Sequence, residues 1–331
     1  MTARHLDPDA AFFAEWAARR PGQRRDLDRA EKIAAELGAF PVGVPVLTVV
    51  GSKGKGTAAV NAAAALAAHR RADGQHLRVG LVTSPAHRTN TERIRLDGLS
   101  IAEATYAQIA AGLTAARHAV DVTDGYLSPT GAFTVAGVAW LHRRCDVLVV
   151  EEGLGGASDE VSLFAPDVVA LTEVFVEHAA LLGDSPGAIA ADLLAVVRAG
   201  TSAVVTGPQS PSVTTVVRHV ARRTGAQVHQ VPSGHPRRSD ELAQANRALG
   251  VQAAAELARR HRWTATDADI EAVLATVRTP GRGSWHRWRG ADIMVDGAIS
   301  PTGVRAAAVQ HTETTGRLAH AVLCLPDDKD V

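Results

Sequence analysis

The stretch Gly51-Ser52-Lys53-Gly54-Lys55-Gly56-Thr57 carries the strongest chemical signal in the chain. It follows the apolar run Val44-Pro45-Val46-Leu47-Thr48-Val49-Val50 and precedes an alanine-rich stretch over 58–71. A strand that turns through glycines into a helix aims successive backbone N–H groups at one point, where the helix N-terminus adds positive potential. Gly51, Gly54 and Gly56 let that backbone approach a phosphate with no Cβ in the way. Lys55 is placed to reach terminal phosphates, and the Thr57 hydroxyl to ligate Mg2+. The spacing is shorter than the common G-x-x-x-x-G-K-[ST] form. The reading therefore rests on the strand–turn–helix setting, without which the loop would be a turn with solvated lysines.

Two further segments end at the same kind of place. Glu151 follows Val147-Leu148-Val149-Val150 and precedes Glu152-Gly153-Leu154-Gly155-Gly156, which presents a carboxylate at a strand tip. Ser84 stands in Thr83-Ser84-Pro85, at the end of another apolar run. Parallel sheets gather ligands at such carboxyl ends.

Short apolar runs over 44–50, 78–83, 146–150, 168–172 and 202–206 read as strands covered on both faces. Helical spacing is seen over 8–38, 58–71, 132–142, 188–199, 239–260 and 266–277. Their alternation predicts an α/β fold: a parallel sheet flanked by helices, with the glycine loop at its carboxyl edge. Thr279-Pro280-Gly281-Arg282-Gly283 is rich in turn residues, so a domain over 1–280 is expected to pass through a linker at 281–290. The remainder, 291–331, reads as strand 293–296, helix 302–310 and strand 318–325, one βαβ unit too small to bury its own core.

Of the 331 residues 46% are hydrophobic, enough for a sizeable core. Lys and Arg total 35, as do Asp and Glu, which gives no signal for nucleic acid or an anionic membrane surface. Cys145 and Cys324 are too few for a disulfide framework or a cysteine zinc site. No apolar run is long enough to span a bilayer, so a soluble cytoplasmic protein is expected.

Taken in order, the glycine loop, Thr83-Ser84-Pro85, Glu92-Arg93-Ile94-Arg95-Leu96-Asp97-Gly98 and Glu151-Glu152-Gly153-Leu154-Gly155-Gly156 form a recognisable series. Val176-Glu177-His178 with Leu181-Leu182-Gly183-Asp184-Ser185, then Pro280-Gly281-Arg282 and Asp296-Gly297-Ala298, continue it. The series resembles the folylpolyglutamate synthase and dihydrofolate synthase family of the Mur ligase group. The resemblance implies a Mur-ligase-like central domain and a Rossmann-like C-terminal segment. It also implies an ATP-dependent ligase that joins a small-molecule carboxylate to an amine through an acyl phosphate. By the same resemblance ATP and Mg2+ are the expected cofactors, and Lys55, Glu151 and His178 the catalytic residues. Thr57, Ser84, Glu151 and His178 are the expected metal ligands. Asn246, Arg282 and Asp296 are expected to contact the nucleotide together with the loop.

Some positions depart from the family pattern. Leu193 stands where the family has a lysine that is carbamylated, so either Asp192 or Glu177 is expected to substitute for it or a second metal is expected to be weak or absent. Ala86 replaces a histidine, with His87 next to it, and Ile299 replaces another histidine after Asp296-Gly297-Ala298. The C-terminal segment reads as truncated, so a second copy or another chain is the expected partner that completes it. A different substrate from the family's is expected. A non-catalytic nucleotide-binding paralogue or ligase partner subunit stays open as the alternative, and so does a P-loop kinase or ATPase.

Overall fold

The computed structural model describes residues 7–232, 237–298, 300–317 and 320–324. Two helices open the chain, α1 (Pro8–Ala18) and α2 (Leu27–Glu36), where helical spacing predicts one. Pro21 and Gly22 break the run, Gly22 adopting φ 81°. Asp26 then starts the second helix by accepting the Arg29 backbone N–H at 3.1 Å.

Strand β1 (Val46–Val50) leads through the glycine loop into α3 (Lys55–Ala67) and on to β2 (Val79–Val82). Two short strands follow, β3 (Ile94–Leu96) and β4 (Leu99–Ser100), then helices α4 (Glu103–Ala119) and α5 (Pro129–Leu141). Next come β5 (Val147–Glu151), β6 (Val168–Leu171), α6 (Ala179–Leu182) and α7 (Pro186–Leu193). After β7 (Ala203–Thr206), α8 (Pro211–Thr224) and β8 (Gln227–Gln230), the long α9 (Ser239–His261) and α10 (Asp267–Leu274) complete the main body.

The sheet has eight strands in the order β4-β3-β2-β5-β1-β6-β7-β8. From β2 to β8 all neighbours run parallel, and β3 and β4 add an antiparallel edge. The expected parallel α/β sheet is therefore present. Composition explains what sequence reading passed over: β3 and β4 span three and two residues, and β8 is the polar run Gln-Val-His-Gln. Strand alternation divides the core into two. Leu47, Val49, Val147 and Val149 face one side with α3 and α9, whereas Val46, Val50, Leu148 and Val150 face the other with α1, α2, α4 and α5. Because both faces are covered, these strands read as unbroken apolar runs.

The α3–α9 pair fixes the loop from behind. Ala58, Ala59, Ala62 and Leu66 meet Leu249, Ala253, Ala254 and Leu257, all buried. At Gly250 the helices come so close that a Cβ would overlap the Ala58 carbonyl.

Beyond α10, residues 284–288 of the expected linker form β9 (Ser284–Trp288), antiparallel to β10 (Ala291–Val295). Arg289 and Gly290 close this hairpin with φ 50° and 84°, the left-handed pair a two-residue turn requires. Helix α11 (Pro301–Thr315) follows. Of the strand expected over 318–325, Leu318, Ala319 and Leu325 lie outside the described residues, and 320–324 forms no strand. In place of a βαβ unit, the described segment is a hairpin and a helix. Helix α11 is tied to α9, since Gln310 Oε1 accepts the Asp240 N–H at 2.9 Å and Arg238 pairs with Glu313 at 2.8 Å. Among the described residues no helix is long and apolar enough to cross a membrane.

Replacing Gly250 by Val places three carbons where Ala58 O stands, so α9 has to lift off α3. Thermal unfolding is expected to show a loss on the order of 2 kcal/mol or more, with AMPPCP binding weakened in parallel. An unchanged melting temperature would show that the contact does not hold the two helices.

Candidate active site

Four strand tips, those of β2, β5, β1 and β6, sit side by side at the carboxyl edge and carry the residues singled out above. The loop after β1 is held against β6. Ser52 N donates to Glu173 O at 3.1 Å, and Ser52 Oγ donates to Phe175 O while accepting the Phe175 N–H, each at 3.1 Å. Gly51 has φ 137° and a Cβ there would overlap Thr172 Oγ1, so no other residue fits. Gly54, at φ 90°, forms the N-cap of α3, and its Cβ would collide with the Asn246 side chain.

Lys55 points back into the loop. Its Nζ donates to Gly51 O at 2.6 Å and lies 3.5 Å from Glu152 Oε2. Burial alone would lower its pKa, but Glu152, Glu151 and Glu177 together raise it, so Lys55 is a firmly held cation. Glu151 closes β5 with a buried carboxylate that accepts the Ser84 N–H at 3.0 Å. Burial pushes its pKa up to about 7 against the pull of that N–H and of Lys55, Arg282 and Arg93. Gly56, in the first turn of α3, stands directly over it. Ser84 Oγ accepts a hydrogen bond from Arg93 Nη1 at 2.7 Å. Ser84, Glu151 and the start of α3 thus converge.

Gly54, Thr57, Asn246, Arg282 and Asp296 line one cavity of about 230 Å³ between the loop, α9 and the start of α11. Ser239 Oγ donates to Asp296, and Arg282 Nη1 donates to Gly297 O at 3.4 Å. Lys53 lines the same cavity; burial lowers its pKa while Asp296 raises it. His178 is half-buried at the head of α6, with φ 48°. It is not among the residues lining this cavity. Among the described residues, no three His, Cys, Asp or Glu side chains converge on a metal position. Thr57, Ser84 and Glu151 instead offer oxygen donors of two kinds, hydroxyl and carboxylate.

Leu193 is buried in the core. Asp192 instead turns its carboxylate to the Gly156 N–H at 2.8 Å, beside the glycines that follow β5. Ile299 lies outside the described residues. Sequence reading passed over Lys53, Ser239 and Glu152. Glu152 left a readable trace, an acid directly after a strand-tip acid. Ser239 left none, because only the packing of α9 brings it to Asp296.

Glu152 is buried, accepts the Gly51 N–H at 3.2 Å and has its pKa pushed up to about 7, chiefly by burial. A carboxyl whose folded pKa exceeds its unfolded value favours the folded state at low pH. It loses that contribution as pH rises from about 4.5 through about 7. His69 and His142, whose pKa values burial lowers, act in the opposite direction over much of this range. The informative quantity is therefore a difference. The offset between the melting temperatures of Glu152→Gln and the unsubstituted protein should be constant below about pH 4, with the variant gaining steadily from there towards pH 7. An offset that stays constant over the whole range would contradict a buried, proton-bearing Glu152.

No family model matches the chain. It is 29% identical over 289 residues to folylpolyglutamate synthase of Lacticaseibacillus casei, covering 77% of this chain and 65% of that protein. It is 29% identical over 202 residues to the dihydrofolate synthase/folylpolyglutamate synthase of Escherichia coli K12, covering 60% of this chain and 44% of that protein. The chain thus spans less than two thirds of these curated relatives. Among solved structures, an FPGS–AMPPCP–folate complex superposes with a TM-score of 0.80 at 26% identity, over 94% of this chain and 82% of that one. By sequence and by fold together, the chain is similar to folylpolyglutamate synthases and dihydrofolate synthases.

Proposed function

We propose that the chain binds Mg-ATP at the glycine loop and uses it to join a carboxylic acid to an amine. The observation that carries this reading is the convergence of Gly54, Thr57, Asn246, Arg282 and Asp296 on one cavity beside the Ser84–Glu151 corner. The backbone of 51–56 would receive the phosphates, and Lys55 would turn from Gly51 O to the terminal one. Asn246 and Asp296 would face the nucleoside, and Arg282 the phosphate chain.

The donor set suits Mg2+. Glu151 is a buried carboxylate whose hydrogen bond comes from a backbone N–H, and Thr57 and Ser84 add hydroxyl oxygens. When bound, the ion would neutralise charge on the phosphates. His178, with Glu177 beside it, is the proposed side-chain pair at the edge nearest the departing phosphate. Glu177 already acts on the charges of both Lys53 and Lys55.

In the first step a carboxylate oxygen forms a bond to the γ-phosphorus as the bond to ADP breaks. In the second the amine nitrogen attacks the acyl carbon, and phosphate leaves with the former carboxylate oxygen. A proton leaves the nitrogen as the amide forms. Both steps bring anions together, so fixed cations and N–H donors do most of the work. We place residues 1–280 as the nucleotide domain and the segment after 290 as its cap, with small acids and amines as partners.

The burial of Leu193 favours a second reading, nucleotide binding without turnover, because a leucine cannot carry the carbamate that the family resemblance implies. Phosphate release separates the two. Purified protein with Mg2+ and ATP is expected to release phosphate only when an acid and an amine are both supplied, and Lys55→Ala to lower that rate ~100-fold or more. AMPPCP binding with no release across a panel of acids and amines would select the second reading.

A further inference from the structure

A second cavity, of about 390 Å³, opens on the other side of Ser84. It lies between the start of α1, the loop 86–91 after β2, and the start of α4. Arg93 forms its inner wall. The guanidinium lies 4.5 Å from the Phe133 ring centre, donates from Nε to Asn90 Oδ1 at 2.8 Å and from Nη1 to Ser84 Oγ at 2.7 Å. Among the described residues no carboxylate pairs with it, and its Nη2 makes no hydrogen bond. Burial lowers its pKa against the longer-range pull of Tyr106, Glu151 and Asp9, and its planar edge matches a carboxylate. That open edge is one residue from Glu151: Arg93 holds Ser84 Oγ, and Ser84 N donates to Glu151 at 3.0 Å.

The outer wall is mixed: Asp7, Asp9 and Glu103 line it with Asn90, Thr89 and Thr91, and so do His87 and Arg88, the latter already paired with Glu92 at 3.4 Å. Tyr106 also lines the cavity, but its ring is already stacked with Phe12, and its hydroxyl donates to Asp9. A ligand body rich in N–H donors would find three carboxylates there. The volume falls within the range of small-molecule pockets.

We propose that this cavity seats the acid substrate, its reacting carboxylate on Arg93, and that the acid belongs to the amino-acid or short-peptide class with an ammonium group towards Asp9 and Glu103. The inference rests on the ligase reading above. It assigns Arg93 as the residue that delivers the carboxylate to the Ser84–Glu151 corner.

Calorimetry in the presence of Mg2+ and AMPPCP tests it with L-alanyl-L-glutamate, L-alanyl-L-glutamine and folate as probes. L-alanyl-L-glutamate is expected to bind, and L-alanyl-L-glutamine, which lacks the side-chain carboxylate, at least tenfold more weakly. Arg93→Gln should weaken L-alanyl-L-glutamate by the same factor and L-alanyl-L-glutamine by less than twofold, with AMPPCP affinity preserved. Such a non-additive cycle is not produced by a merely structural role. Glu103→Gln, on the outer wall, should weaken both peptides equally. Binding of folate but neither peptide, binding of none of the three, or equal loss of both peptides in Arg93→Gln, each overturns the assignment. Failure of AMPPCP itself to bind overturns the nucleotide reading instead, and L-alanyl-L-glutamate binding without nucleotide distinguishes the two.

Discussion

The close approach of α9 to α3 is the contact on which the site depends. At Gly250 one helix touches the backbone of the other at Ala58, one residue beyond Thr57. That depth sets Asn246, one turn earlier on α9, against Gly54 of the loop, where any Cβ would overlap it. The same helix starts at Ser239, whose hydroxyl reaches Asp296, so α9 spans from the loop to the segment that caps the cavity. The two glycines are not interchangeable with alanine, since each lies where another chain atom already stands.

The second constraint is electrostatic. Glu151, Glu152, Asp159 and Glu160 are buried within a short stretch, and burial raises the pKa of each. Lys55 answers Glu152 on one side and Arg25 answers Asp159 at 3.3 Å on the other. An arrangement with this many buried acids costs stability. Its yield is positional: Glu152 holds the Gly51 N–H, Asp159 holds the Leu154 N–H at 2.9 Å, and both loops at the head of the sheet keep their shape.

Much of this was legible in the sequence, and the reasons are specific. Strands covered on both faces write unbroken apolar runs, so β1, β2, β5, β6 and β7 could be placed. Gly51 to Thr57 announced a phosphate loop because its neighbours on both sides carry strand and helix patterns. The edge strands β3, β4 and β8 are too short or too polar to write a pattern. The strand read over 293–296 overlaps β10, but its partner β9 hid because the turn between them, Arg289-Gly290, sits among residues that also suit a linker. Arg93 was visible within its motif, but only the fold shows that, among the described residues, no carboxylate forms an ion pair with it. Ser239 and Lys53 likewise become site residues through packing between distant segments.

The central claim is that the Ser84–Glu151 corner serves transfer of a phosphoryl group onto a carboxylate. The most direct measurement follows oxygen-18 from a labelled acid during amine-dependent turnover with Mg-ATP. An acyl phosphate requires one labelled oxygen to leave in each inorganic phosphate, with the other retained in the amide. Phosphate released without label would mean that water, not the acid, receives the phosphoryl group, and the account of the site as an amide ligase would be wrong.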